Sequence, residues 1–118
     1  MLKILLVLLL MLSATVSASA QFVGPGLTRI GGKVTVAQVA EIRPGTQVIL
    51  TGNFVQRYRQ DYYRFRDETG EILVEVDRRL WRNRLIGPHT PVQITGEVER
   101  GGLLRGRHVE AERIVVLE

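Results

Sequence analysis

The sequence predicts a mainly β-sheet protein, a small five-stranded Greek-key barrel, and two observations predict it. Between Tyr62 and Trp81, two alternating runs, Tyr62 to Asp67 and Glu71 to Asp77, flank a polar segment ending in Gly70. This is the pattern of a β-hairpin with a glycine in the left-handed position. On either side of it, Val48-x-Leu50-x-Gly52-x-Phe54 and Val92-x-Ile94-x-Gly96-x-Val98 repeat one spacing, each with a glycine in mid-strand. A strand curling around a narrow barrel needs such a place to bend.

The first twenty residues stand apart from the fold. Lys3, the apolar run Ile4 to Leu12 and the small residues Ala18-Ser19-Ala20 have the order of a secretory signal peptide cleaved before Gln21. The apolar run is shorter than the roughly 20 residues that span a bilayer, so the mature chain, residues 21–118, is expected to be exported without a transmembrane segment. Its length suits one domain. Cysteine is absent, so stability rests on core packing although the compartment would permit disulfides. The whole chain carries 16 basic and 12 acidic residues, and beyond the leader every basic residue except Lys33 is arginine. A coding bias accounts for arginine without any function, whereas arginine's planar fork is also the better partner for phosphate and carboxylate.

Taken in order, residues 21–34 are rich in glycine and threonine, with Pro25 between two glycines, and read as an extended or mobile arm. The domain proper is expected over 35–118. Thr35 with Gln38 three residues on forms a capping box for a short helix that places Val36, Val39, Ala40 and Ile42 on one side and stops at Arg43-Pro44-Gly45. The first strand, Thr46 to Val55, turns Val48, Leu50 and Phe54 to one face, and the loop Gln56 to Asp61 follows. In the hairpin Tyr63, Phe65, Ile72, Val74 and Val76 face the core. Tyr62, Arg64 and Arg66 face outward with Leu73, Glu75 and Asp77. Arg78 to Leu85 reads as a helical turn whose Trp81 plugs one barrel end. Pro88 and Pro91 lead into the fourth strand, Val92 to Arg100; Gly101 to Arg107 is a basic glycine-rich loop, and His108 to Leu117 closes the barrel between two neighbours.

Five strands, a short helix between the third and fourth, and closure by the last strand describe a barrel of the OB type. An SH3-like barrel satisfies the same alternation. The pieces Val48-x-Leu50-x-Gly52, Tyr63-x-Phe65-x-Asp67-x-Thr69-Gly70-x-Ile72-x-Val74-x-Val76-Asp77, Trp81 and Val92-x-Ile94-x-Gly96-Glu97-Val98 resemble the bacterial OB-fold family of exported stress-tolerance proteins, and the resemblance covers Thr35 to Leu117. It implies a periplasmic single-domain protein that acts in tolerance of envelope or oxidative stress by binding a small molecule or ion, without enzymatic activity. The basic loop after Arg100 departs from the family, whose members often carry a more acidic or polar turn there, and so weakens a carried-over cation site.

The residues themselves exclude more than they assign. Every serine lies in the leader and cysteine is absent, which closes serine and cysteine nucleophilic mechanisms. His89 and His108 stand at opposite ends of the fourth strand, so the usual zinc ligand set is missing. His89 reads as a loop residue between prolines and His108 as the start of the last strand. No glycine pattern fits a phosphate-binding fingerprint, and no cofactor is expected. Asp67, Glu68, Glu71, Glu75 and Asp77 could offer oxygens to a hard cation, but alternation sends Glu75 and Asp77 towards neighbouring arginines, so no metal site is expected.

OB barrels bind along the second and third strands and the adjoining loops, where this chain carries Arg57, Tyr58, Arg59, Tyr62, Arg64, Arg66, Arg105 and Arg107. Arginines interleaved with tyrosines suit a small anionic ligand or polyanion. Cross-strand pairing with carboxylates would explain the same arginines without a ligand. An envelope protein is the other partner considered. Single-stranded nucleic acid is the alternative on this face, disfavoured by export and by Glu75 and Asp77. A metal-assisted nuclease on the same barrel lacks a convincing base.

Overall fold

The computed structural model describes residues 29–101 and 106–117. The expected signal peptide and the first part of the arm lie outside the described residues, as does Arg105. Six strands are present: β1 Arg29–Lys33, β2 Thr46–Arg59, β3 Tyr62–Asp67, β4 Gly70–Glu75, β5 Val92–Arg100 and β6 Arg107–Val116. A single helical turn, α1 Val36–Val39, precedes β2, and a 3-10 turn, Arg78–Trp81, follows β4. Among the described residues no helix is long and apolar enough to cross a membrane.

The five expected strands form a closed ring. β2 pairs antiparallel with β3, β3 with β4, β5 with β6 and β5 with β2, and the parallel pairing of β4 with β6 completes the circuit. This is the Greek-key barrel of the OB fold. β1 is an addition to the expected plan: the end of the arm lies parallel to the start of β2, from Arg29 opposite Thr46 to Lys33 opposite Ile49, with a register shift between Ile30 and Gly32. Two glycines and a lysine in five residues carry no strand signal of their own, so the free edge of β2 decides the conformation there.

β2 is longer than expected because it serves two partners in turn. Its first half pairs with β5 up to Gly52 opposite Val92, and its second half pairs with β3 from Asn53 opposite Arg66. The changeover falls at Gly52, where a Cβ would overlap the Arg66 carbonyl. Gly96 plays the same part on β5: a Cβ there would meet the Glu110 carbonyl oxygen and Val109 Cγ1, both at 2.6 Å, beside a register shift in the β5–β6 pairing. Both mid-strand glycines thus permit backbones to approach closely where the sheet bends.

The alternation expected from the sequence builds the core. Val48, Leu50, Phe65, Val74, Val76, Val92, Ile94, Val98 and Val109 are fully buried, with Val36, Phe54, Ala111 and Ile114 almost so. Tyr63 and Ile72 are half-buried against this cluster. Each fully buried side chain of this size contributes about 1.5–3 kcal/mol relative to exposure. At one end α1 drops Val36 and Val39 into the barrel. The capping box is formed as expected: Thr35 Oγ1 accepts from Gln38 N, and Gln38 Oε1 accepts from Thr35 N at 2.8 Å. At the other end Trp81 plugs the barrel, edge-on to Phe54 and Tyr63 at ring-centroid distances of 5.1 and 5.0 Å.

Two local expectations are corrected. Gly70 is not left-handed, having φ 159°. The β3–β4 turn is closed instead by Asp67, whose Oδ1 accepts from the N–H groups of Thr69 and Gly70 at 2.7 and 3.2 Å. Asp67 and Glu71 also change the outward pairing. Arg64 and Arg66 both turn to Glu71, at 3.7 and 2.5 Å, and not to Glu75 and Asp77. Asp77 instead caps the 3-10 turn by accepting from Arg79 N.

Candidate ligand-binding face

The end of β2 and the start of β3 hold the candidate site. Two register shifts in this hairpin, at Phe54/Gln56 and Arg57/Arg59, decide which side chains meet, because each bulge moves the following residues to the opposite face. Arg57 is carried opposite Tyr63 and lines a recess with Phe54, Trp81 and Leu85. Tyr58 and Arg59 are left with Tyr62 and Arg64. The Arg59 guanidinium carbon lies 5.8 Å from the Tyr58 ring centroid and 5.5 Å from that of Tyr62, and the Arg64 carbon lies 5.5 Å from Tyr58. Two cations therefore flank one tyrosine ring, within the range where a guanidinium gains from the ring's quadrupole.

These arginines differ in how they are compensated. Arg66 is held by Glu71 through Nε at 2.8 Å and Nη2 at 2.5 Å, so its fork is already occupied. Arg64 shares the same carboxylate at the longer distance of 3.7 Å and keeps 44% of its side chain exposed. Arg59 makes no ion pair among the described residues. Burial pushes the Tyr62 phenol above its ordinary value, the Glu75 carboxylate adds to this, and Arg59 opposes it, so Tyr62 is a neutral hydroxyl at physiological pH. Beside this cluster, and sharing Arg64 with it, Asn53, Val55, Gln56, Arg64, Arg66, Glu71, Pro88 and His89 line an open hollow of about 830 Å³. His89, an exposed turn residue as expected, reaches this hollow from the β5 side.

The seven described residues among the eight nominated from the sequence do not all come together. Tyr58, Arg59, Tyr62 and Arg64 come together, and Arg66 stands beside them with its charge satisfied. Arg57 turns to the barrel end. Arg107 serves packing: its Nε donates to the Ile42 carbonyl at 2.8 Å, tying β6 to the chain that follows α1. Of the five hairpin carboxylates considered as cation ligands, Asp67, Glu71 and Asp77 are likewise spent, each holding backbone N–H groups or arginines. Burial alone would raise the Asp67 carboxyl, but the Thr69 hydroxyl and the N–H groups of Val36, Thr69 and Gly70 hold it below the usual value.

Sequence reasoning missed Arg84. Its Nε donates to Trp81 O at 3.0 Å, Nη1 to Ile114 O at 3.1 Å and Nη2 to Leu80 O at 2.8 Å. One guanidinium thus satisfies the carbonyls of the 3-10 turn and fastens that turn to β6. Nothing in the local pattern distinguishes Arg84 from Arg82 or Arg79, because its acceptors come together only in the folded barrel.

A family model described as bacterial OB fold (BOF) protein matches residues 13–116. The calcium-regulated OB-fold protein CarO of Pseudomonas aeruginosa is 37% identical over 107 residues, covering 91% of this chain and 89% of its own. Protein YgiW of Escherichia coli K12 is 38% identical over 99 residues, covering 75% of this chain and 76% of its own. The solved structure of the hypothetical protein ygiW from E. coli superposes with a TM-score of 0.67 at 29% identity, covering 84% of this chain and all of that one. The telomere capping protein Ten1 from Schizosaccharomyces pombe, at 17% identity and a TM-score of 0.55, shares the fold alone. The closed five-strand ring, the capped helical turn and the match along almost the whole chain agree: this protein belongs to the bacterial OB-fold family.

Proposed function

We propose that the chain is exported to the periplasm and acts there as a non-enzymatic binding protein in tolerance of envelope stress, holding an anionic ligand on the ledge of Tyr58, Arg59, Tyr62 and Arg64. The observation that carries this reading is the placement of two guanidiniums over one tyrosine ring, one of them without a carboxylate partner among the described residues. Two such cations repel each other, and an anion bound between them relieves that repulsion while using both planar forks. The ring beneath offers a flat apolar surface, which suits a phosphorylated small molecule or a polyanion carrying sugar rings. Export rests on the leader pattern at Met1 to Ala20. A binding role rests on the lack of serine and cysteine beyond the leader and on the distance between the two histidines.

The test is thermal denaturation of the purified protein with phosphorylated sugars, lipopolysaccharide fragments and short single-stranded oligonucleotides at two salt concentrations. A ligand at about 100 times its dissociation constant adds about 2.7 kcal/mol, on the order of 10 °C for a domain this small. That shift should shrink at high salt and vanish in an Arg59→Ala, Arg64→Ala double variant. An anion-induced shift unchanged in the double variant would refute the ledge. No shift with any anion would refute the ligand class and turn attention to a protein partner in the envelope. Oligonucleotides outranking every other anion would replace this reading with single-strand binding.

A further inference from the structure

A second surface, on the other side of Tyr62, carries the opposite charge. The register places Tyr62 opposite Glu75, Glu75 opposite Glu110, and Glu110 opposite Glu97. Three carboxylates thus lie in line across β4, β6 and β5, and with strands about 4.8 Å apart they span about 10 Å. Like charges set directly opposite one another destabilise a sheet, and none of the three makes an ion pair among the described residues. Glu99, two residues along β5 on the same face, joins them: burial first, then Glu97, Glu110 and Glu75, push its carboxyl above the ordinary value.

The second observation is His108. It stands opposite Glu99 in the β5–β6 pairing and on the same face as Glu110, by alternation. Yet it is only 8% exposed, its ring lies 6.0 Å from that of Tyr62, and its Nδ1 is buried without a hydrogen-bond partner among the described residues. An outward-facing imidazole enclosed in this way, with an unsatisfied nitrogen beside a row of carboxylates, lacks a polar partner that a ligand would supply. A cation stands at the β3 end of the row, where Arg59 lies over Tyr62.

We propose that Glu75, Glu110 and Glu97, with Glu99 and His108 at their margin, form a binding strip for a linear organic polyamine. The row suits this class better than a metal ion. Hard cations need several oxygens converging at about 2.3–2.6 Å, and among the described residues no three acidic or histidine side chains converge on one point. A linear polyamine instead carries its charges in sequence along a flexible chain, so each ammonium meets the carboxylate of one strand and donates hydrogen bonds to it. The strip would let one barrel hold an anion and a cation on opposite sides of Tyr62.

Calorimetric titration of the purified protein with spermidine tests this, with calcium chloride at matched ionic strength as the comparison. Spermidine should bind, and a Glu97→Gln, Glu110→Gln double variant should lose about tenfold in affinity, as expected for two exposed charge contacts. The same variant should melt higher than the parent without ligand, because the row's repulsion is relieved, so a failure to fold does not cloud the result. In the parent, spermidine should shift the His108 ring resonances. Absence of spermidine binding, equal affinity in the variant, unmoved His108 resonances, or tighter binding of calcium than of spermidine would each overturn the proposal.

Discussion

Replacing Asp67 with alanine removes the side chain that joins the α1 end of the barrel to the central hairpin. Its Oδ2 accepts from Val36 N at 2.9 Å, the first N–H of α1, and its Oδ1 accepts from Thr69 N, Thr69 Oγ1 and Gly70 N at 2.7, 2.6 and 3.2 Å. Water can replace the carboxylate at exposed Thr69. At Val36 and Gly70, where the bonds are partly buried, it cannot do so as well. Two hydrogen bonds to a charged acceptor at about 1.5 kcal/mol each give a loss of about 3 kcal/mol. For a domain of this size that is on the order of 15 °C in Tm. The effect should depend on pH with a definite sign. The folded-state pKa of Asp67 lies below its unfolded value, so its contribution is complete above about pH 4 and is lost as pH falls through the folded pKa. Urea denaturation of parent and Asp67→Ala from pH 7 down to pH 3 should therefore show a gap that narrows on acidification. A loss below about 1 kcal/mol at pH 7, or a gap unchanged at low pH, would refute the role assigned to this carboxylate.

Two further pairs of substitutions test the barrel that carries the ledge. Gly52→Ala puts a methyl group into the Arg66 carbonyl and should cost about 3 kcal/mol or abolish folding. Gly87→Ala, whose nearest neighbour is Thr90 Oγ1 at 4.0 Å, should be tolerated; circular dichroism melting of both variants reads the difference. Arg84→Ala takes the guanidinium donors from the Leu80 and Ile114 carbonyls, while Trp81 O keeps the Arg84 N–H, and should cost about 2 kcal/mol in urea unfolding, whereas Arg78→Ala on the exposed side of the same turn should change stability by less than about 0.5 kcal/mol.

The strand alternation and the cap were legible because both are local. Val48, Leu50, Val74 and Ile94 declare their face by spacing alone, and Thr35 with Gln38 is a contact within one turn. The candidate site was legible only as a composition of arginine and tyrosine on the right hairpin. Which of these residues meet depends on two bulges in β2, and no residue type marks them. Without the second bulge, between Arg57 and Arg59, Tyr58 would not stand between Arg59 and Arg64. The partner of Arg64 and Arg66 was misassigned for a related reason. Glu71, Glu75 and Asp77 are all on or beside the neighbouring strand, and the turn closed by Asp67, which sets Glu71 directly opposite Arg66, decides among them.

By itself the sequence determined a β-barrel with one capped helical turn, two glycine crossings and an aromatic plug, because hydrophobic period and backbone permissiveness act over a few residues. It determined equally that serine and cysteine chemistry is closed beyond residue 20. Only the tertiary structure decided that Arg84 and Arg107 brace the fold while Arg59 meets no carboxylate among the described residues, and that β1 lies against β2. It also decided that Glu75, Glu97 and Glu110, from three separate strands, stand in one row beside His108. Those outcomes depend on which strands become neighbours and in what register, and they are settled by ring closure over contacts that join distant parts of the chain.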